Sequence, residues 1–314
     1  MVTTPAVVGA IAALSFTSPK YEVKVERDVV YAQARGYWTK ADEEEGMGLG
    51  KMITKLGRQH TLDLDMDIYL PEDDGVTSGR PLLLMLHGGS FFFGNKEEKG
   101  QTAWCQHFAS LGYVAASINY RLGFNIKKKD IARAEDYAVE DARSALEYLL
   151  GREDLRIDPG KVFAAGTSAG ASTVMALAFT PGAPRIRAVC SLWGSIHSLQ
   201  VLENSRTAIL SYQSVKDPVM PYTEGYPFTK KAGALWPPSW MFIKKMYGTG
   251  SIHQKAQELG LRSEHHPIEE AGHRLHIGPD GSFTPLFYEI RDRMASFFAE
   301  EMTTPLPCLR SDCL

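Results

Sequence analysis

The chain predicts an α/β fold: a central, mostly parallel sheet with antiparallel strands at its N-terminal edge and helices on both faces. Three observations carry this. From residue 81 onward, apolar runs of strand length alternate with longer helical stretches, the order that builds parallel sheets. Pro81-Leu-Leu-Leu-Met-Leu86 is apolar without interruption, as a strand covered on both faces must be. Ahead of it, Tyr21 to Tyr31 and His60 to Leu70 follow a period of two, the pattern of strands with one wet face.

The second of these early strands sets Leu62, Leu64, Met66, Ile68 and Leu70 against Asp63, Asp65 and Asp67, so the three aspartates are expected to face water. Between the two lies Thr39 to Lys55, with Asp42-Glu-Glu-Glu45 and several glycines, which reads as a solvated connection or a lid segment. Beyond the turn cluster Pro71 to Arg80, the order is a helix near Thr102 to Ser110, a strand Val114 to Ile118 and a helix from Ala132 to Leu150. A strand Val162 to Ala165, a helix Ala171 to Phe179 and strands Ile186 to Leu192 and Ala208 to Tyr212 follow. A helix around Ile252 to Leu259, a strand Arg262 to Ile268 and a last helix Leu286 to Glu300 complete the set. No Pro, Gly or Ser linker interrupts them, so residues 21–303 are expected to form one domain. A loose N-terminus over 1–20 and a Pro-rich tail over 304–314 flank it. Residues 225–249, rich in Pro and aromatics, are long for a connection and read as a second lid or pocket wall.

At 314 residues and 44% hydrophobic content the chain has ample core, and bulk disorder is excluded. A formal net charge of -3 provides no field to gather nucleic acid, and Lys127-Lys-Lys129 reads as a solvated face. No segment reaches transmembrane length. Ala6 to Leu14 is mildly apolar and lacks a positive flank, so a cytoplasmic location and a secreted or periplasmic one with a remnant signal both stay open. Cys105 and Cys190 sit in apolar surroundings as small hydrophobes. Cys308 and Cys313 are compatible with either a local bridge or a free tail. No cofactor or metal is implied, for neither a dinucleotide fingerprint nor metal-ligand spacing occurs. Assembly into a homo-oligomer stays open.

The chemistry centres on Gly166-Thr-Ser-Ala-Gly170, between the strand ending at Ala165 and the helix that follows. A serine at such an elbow is exposed at the sheet's edge, and glycines at either side let strand and helix approach. Ser168 is the candidate nucleophile. His87-Gly-Gly-Ser90 follows the strand Leu82 to Leu86. Its N–H groups, Gly88, Gly89 and Ser90 being the candidates, together with that of Ala169 at a helix start, suit an oxyanion. His87 itself reads as a brace for that turn. His273 in Glu270-Ala-Gly-His273 lies beyond the last strand and is the candidate base. His265, His266 and His276 read as surface or supporting groups. Asp217, after the strand Ala208 to Tyr212, is the candidate acid that orients the imidazole.

Nucleophile, acid and base thus occur in the order Ser168, Asp217, His273. With His87-Gly-Gly-Ser90, Asn119-Tyr-Arg-Leu122, Asp217-Pro-Val-Met-Pro-Tyr222 and Gly272-His273, the chain resembles the α/β hydrolases of the carboxylesterase and lipase group, including hormone-sensitive-lipase-like and bacterial feruloyl or acetyl esterases. The resemblance implies the α/β-hydrolase fold, a serine esterase acting on small-molecule esters, and structural roles for Tyr120 and Arg121. The sequence departs from the lipase-like pattern at Ser90, where a third glycine is common, and at Thr167 and Ala171 in the elbow. No long helical cap precedes the first strands in the usual arrangement.

Phe91 and Phe92 beside the oxyanion turn, and Trp236 and Trp240 within 225–249, are candidate walls for an apolar or aromatic substrate group; the phenylalanines equally suit core filling. Two other readings stand beside the esterase. A peptidase of the prolyl-oligopeptidase type would use the same residues but normally carries a propeller, for which the segment before His87 has no room. A non-catalytic binding module of the same fold would normally lack a triad member, and all three candidates are present.

Overall fold

A computed structural model describes residues 16–41, 58–124, 128–180, 182, 184–203, 205–228 and 243–304. The apolar N-terminal run, most of the 39–55 segment, Trp236, Trp240, Cys308 and Cys313 lie outside the described residues.

Eight strands form the main sheet: β1 (Val23–Gly36), β2 (His60–Pro71), β3 (Arg80–Leu86), β4 (Val114–Ile118), β5 (Ile157–Thr167), β6 (Ala188–Leu192), β8 (Ala208–Ser214) and β11 (Ser263–Ile268). Their spatial order is β1-β2-β4-β3-β5-β6-β8-β11. The pairs β1/β2 and β2/β4 are antiparallel, and every pairing from β4 to β11 is parallel. Helices α1 (Lys99–Ser110), α2 (Lys128–Gly151), α3 (Ala169–Phe179), α4 (Thr249–Glu258) and α5 (Pro285–Thr303) connect and cover them. The expected alternation is therefore present.

Strand β3 shows why the sheet is covered on both sides. Leu82, Leu84 and Leu86 pack with Val114, Ala116, Ile118, Ala142 and Val174 on one face. Leu83 and Met85 pack with Trp104, Phe108, Phe163 and Phe298 on the other. Period-two side chains in an all-apolar strand feed two cores at once, each buried large side chain contributing about 1.5–3 kcal/mol.

Strand β2 corrects one expectation. Asp63 is exposed as predicted, but Asp65 and Asp67 are buried, Asp67 completely. β2 is an interior strand between β1 and β4, and the face that was to be wet carries Lys96, whose side chain is itself fully buried. Lys96 Nζ lies 2.5 Å from Asp67 Oδ1, 2.8 Å from Asp28 Oδ1 and 3.6 Å from Asp65 Oδ2. Arg27 reaches the other oxygen of Asp67 at 2.6 Å. Burial alone would push the Lys96 ammonium down, but Asp28 and Asp67 outweigh it and hold it above the ordinary lysine range. Alternation alone could not show this, because the neutralising cation comes from a different part of the chain.

Three short strands were not expected. β7 (Ser195–Ile196), β10 (Met246–Gly248) and β9 (Glu224–Gly225) form a separate antiparallel sheet in the order β7-β10-β9. It ties both ends of the 225–249 segment to the loop after β6. Likewise the start of 39–55 is not solvated: Ala41 is buried, and it exchanges backbone hydrogen bonds with Gly94 at 3.2 and 2.7 Å.

Candidate active site

The parallel strands all end on one edge of the sheet, and the loops there carry the candidate residues. Ser168 stands between β5 and α3 with φ 51° and ψ -114°, a strained left-handed backbone that a non-glycine residue adopts only when its surroundings impose it. They do so through the two glycines. A Cβ on Gly166 would lie 2.5 Å from the carbonyl carbon of Gly170, and one on Gly170 would lie 2.3 Å from Leu86 O. Ser168 N donates to Leu192 O at 2.9 Å, which pins the elbow to β6.

His273, in the loop after β11, reaches Ser168 from the far side of the sheet edge. Its Nε2 is 2.9 Å from Ser168 Oγ, and its Nδ1 is 2.8 Å from Asp217 Oδ2. The Asp217 side chain is fully buried and that of His273 is 13% exposed, so the pair is shielded while the imidazole retains access from the site. Asp217 Oδ1 accepts N–H groups from Val219 at 2.7 Å and Met220 at 3.1 Å. Pro218 supplies no N–H of its own, so the carboxylate turns back onto the two residues after it. The structure thus brings together the three residues that sequence order singled out.

The glycine turn lies directly against the elbow: a Cβ on Gly88 would sit 3.3 Å from Ser168 Cβ. Gly89 has φ +104°, and a Cβ there would meet Phe93 O at 2.1 Å. Ser90 and Phe91 follow at φ 56° and 60°. Gly89 O accepts from both Phe92 N and Phe93 N at 2.9 Å, which curls the segment and leaves the N–H groups of Gly89 and Ser90 without an acceptor among the described residues. As the first residue of α3, Ala169 has an N–H with no partner inside the helix.

His87 braces this turn as expected. It is fully buried, donates from Nδ1 to Gly88 O at 2.7 Å and stacks on Tyr120 at 4.3 Å. The Tyr120 hydroxyl donates to His87 O at 2.7 Å. Gly94 was missed by motif reading. A Cβ there would lie 2.4 Å from His87 Nδ1, so only glycine lets the returning chain pass beneath the imidazole. Arg121 is structural too, paired with Asp141 at 2.7 Å.

One expectation needs correction. Phe92 is no pocket wall: it is buried and packs edge-on against Trp38 at 4.7 Å and Phe124 at 5.6 Å, because the left-handed backbone at Ser90 and Phe91 turns it inward. Phe91 is half-buried and packs against the same core. Of the two readings for His276, surface or supporting, the structure gives the second. His276 is buried between Trp104 at 5.4 Å and Trp193 at 4.8 Å, and Trp193 also borders His273 at 6.3 Å. Trp193 was missed; its signal was its position immediately after β6 on the edge that carries the site. His265 and His266 lie in β11, bonded to Ser211 and Tyr222 and to Glu264 respectively, away from Ser168.

Burial pushes His87 down from 6.5 to about 4 and His276 to about 3. Each is neutral when folded at neutral pH and gains a proton more readily when unfolded. The stability this represents is therefore complete above pH 6.5 and is lost as pH falls toward 4, by on the order of 3 kcal/mol for one such histidine. Urea unfolding at pH 7 and pH 4.5 is expected to show the acid loss in the wild-type protein and a visibly smaller loss in His87→Gln. Equal losses in the two would contradict the assignment.

Sheet order, crossovers and the serine elbow together define an α/β-hydrolase-fold protein. Solved structures of esterase 2 from Thermogutta terrifontis share this fold. The form phosphorylated by paraoxon has a TM-score of 0.57 and 19% identity, covering 91% of this chain and 96% of that one. The propionate-bound form has a TM-score of 0.55 and 20% identity, covering 92% and 97%. Residues 66–202 match the BD-FAE family model. Among curated relatives, non-reducing polyketide synthase mapC of Penicillium brevicompactum is 35% identical over 150 residues, 45% of this chain and 6% of that protein. Gut esterase 1 of Caenorhabditis elegans is 30% identical over 106 residues, 32% of this chain and 18% of that protein. The chain matches only a small part of the length of these relatives. No helix among the described residues is long and apolar enough to cross a membrane.

Proposed function

We propose that the protein is a serine carboxylic-ester hydrolase that works through an acyl-enzyme on esters of small to medium acyl or aromatic acids. The observation that carries this reading is the continuous relay Ser168 Oγ, His273 Nε2, His273 Nδ1, Asp217 Oδ2 with contacts of 2.9 and 2.8 Å. Both lie within hydrogen-bond range.

In the proposed reaction Ser168 Oγ attacks the ester carbonyl carbon as its proton passes to His273 Nε2. The carbonyl oxygen becomes an oxyanion held by the N–H of Ala169 and by the glycine turn, with Gly89 joined by Gly88 or Ser90. Collapse breaks the bond to the alcohol oxygen, which takes the proton from His273 Nε2. Water then repeats the sequence on the acyl-enzyme, releasing the acid and restoring Ser168. Asp217 keeps Nδ1 protonated and steadies the imidazolium in both halves. The preference for short acyl chains is supported by the propionate-bound and butyrate-bound forms of the Thermogutta esterase of the same fold.

The test is a panel of p-nitrophenyl acetate, butyrate and octanoate with methyl ferulate, beside titration with paraoxon and mapping of the adduct by peptide mass spectrometry. Hydrolysis falling off from butyrate to octanoate, with one phosphoryl group per chain on Ser168, is expected. Cleavage of proline anilides without turnover of any ester would favour the peptidase reading, and an unmodified Ser168 with an inert panel would sink the proposal.

A further inference from the structure

The loop that carries Asp217 is tied to the sheet by a residue that belongs to none of the motifs. Gln213, near the end of β8 and four residues before Asp217, is fully buried. Both ends of its side-chain amide are engaged. Oε1 accepts from Thr249 N at 3.0 Å and from Thr249 Oγ1 at 2.8 Å. Nε2 donates toward Pro221 O at 3.1 Å, Met220 O at 3.3 Å and Asp217 Oδ2 at 3.4 Å.

The chemistry of the partners dictates this orientation. Thr249 N–H can only donate, so it requires the amide oxygen. Two backbone carbonyls and a carboxylate can only accept, so they require the NH2 group. A flipped amide would set an oxygen against three acceptors. The orientation of the amide is therefore fixed. Its two N–H bonds are shared among three acceptors, and the longest contact, at 3.4 Å, is to the same Asp217 oxygen that receives His273 Nδ1.

We propose that Gln213 is a positioning residue for the triad, acting through Asp217. The other carboxylate oxygen is held by Val219 N and Met220 N, and these grip the carboxylate only from within its own loop. Gln213 references that loop to the sheet on one side and to the start of α4 on the other. Packing makes the link stiff. A Cβ on Gly248 would lie 1.8 Å from Pro221 O, and one on Gly250 would lie 2.8 Å from the Tyr222 ring, so the segment leading into α4 presses directly on the acid loop. The elbow sits on α3 and β5, whereas Asp217 and His273 arrive on separate loops. Alignment of the three then depends on the acid loop keeping its height above the sheet, and a displacement of about 1 Å costs on the order of 10²-fold in rate.

This inference rests on the ester-hydrolase reading, and its experiment separates the two. Gln213→Met keeps the volume and removes both amide functions, while Gln213→Glu keeps the oxygen toward Thr249 and sets a second carboxylate against Asp217. With p-nitrophenyl butyrate, kcat is expected to fall about 20-fold in Gln213→Met and further in Gln213→Glu, with KM changed less than about twofold. A second readout needs no turnover. The proton on His273 Nδ1 shared with Asp217 is followed by its downfield 1H NMR resonance, expected in the wild type and shifted or lost to exchange in Gln213→Met. Wild-type kcat together with an unchanged resonance in both variants would overturn the proposal. A wild-type protein inert toward esters would instead count against the hydrolase reading, and the resonance would still report on Gln213. Should the Gln213 variants not fold, Thr249→Val removes one of the two donors to Oε1. A drop in kcat of about threefold supports the proposal there, and an unchanged kcat overturns it.

Discussion

Replacement of Ser168 by alanine is expected to cut ester hydrolysis about 10⁶-fold, and replacement of Asp217 by asparagine about 10⁴-fold, with both proteins still folded. The two losses differ for a physical reason. Without Ser168 Oγ no acyl-enzyme forms, and only the oxyanion donors and substrate binding remain. In Asp217→Asn the acceptor facing His273 Nδ1 becomes an amide. If its NH2 group turns toward the ring, Nδ1 must accept, the proton moves to Nε2, and the nitrogen 2.9 Å from Ser168 Oγ can no longer take the serine proton. The double variant is expected to lose no more than Ser168→Ala alone, since the residues act as one unit. Single-turnover rates on p-nitrophenyl butyrate measure all three. Additive losses would show that Ser168 and Asp217 do not act as one unit, and a residual rate above about 1% in Ser168→Ala would place the nucleophile elsewhere.

Removal of the buried ammonium in Lys96→Met is expected to destabilise the fold by about 3–5 kcal/mol, because Asp67 stays wholly buried with only the half-exposed Arg27 to balance it. The cost is that of stranding a charge. The pair itself need not contribute much, so Lys96→Met combined with Asp67→Leu is expected to recover a large part of the loss. Denaturant midpoints of the two single variants and the double variant decide this. A double variant as unstable as the sum of the singles would show that the cluster of Lys96 with Asp28, Asp65, Asp67 and Glu97 contributes through shape and not through charge. Some loss of activity should accompany the unfolding cost. Lys96 N donates to Asn119 Oδ1 at 2.8 Å and Ser117 Oγ donates to Lys96 O at 2.7 Å, which fastens the return from the glycine turn at Gly88 and Gly89 to the end of β4.

Ser168, Asp217 and His273 were legible because each follows a strand of a parallel sheet, and parallel strands deliver their ends to one edge whatever the loops do. Gly166 and Gly170 were legible because an elbow excludes side chains there. Asp65 and Asp67 were misread, since burial of an acid depends on a cation that arrives from 29 residues away in the case of Asp67. Phe92 was misread because its direction follows from positive φ at Ser90 and Phe91, residues whose type does not favour it. The strands of the small second sheet, two or three residues long, carry no periodicity to detect.

Local patterns carried the alternation of elements, the glycines that two close approaches require, and the order of the candidate residues Ser168, Asp217 and His273. Only the tertiary structure decided how the carboxylate of Asp217 is held, which histidines are sealed in the core, and which polar face of β2 is dry. Those depend on contacts between segments far apart in the chain, such as Gln213 with Thr249 and Lys96 with Asp67, where the free energy of a polar group is set by the partner it meets and not by its own neighbours in sequence.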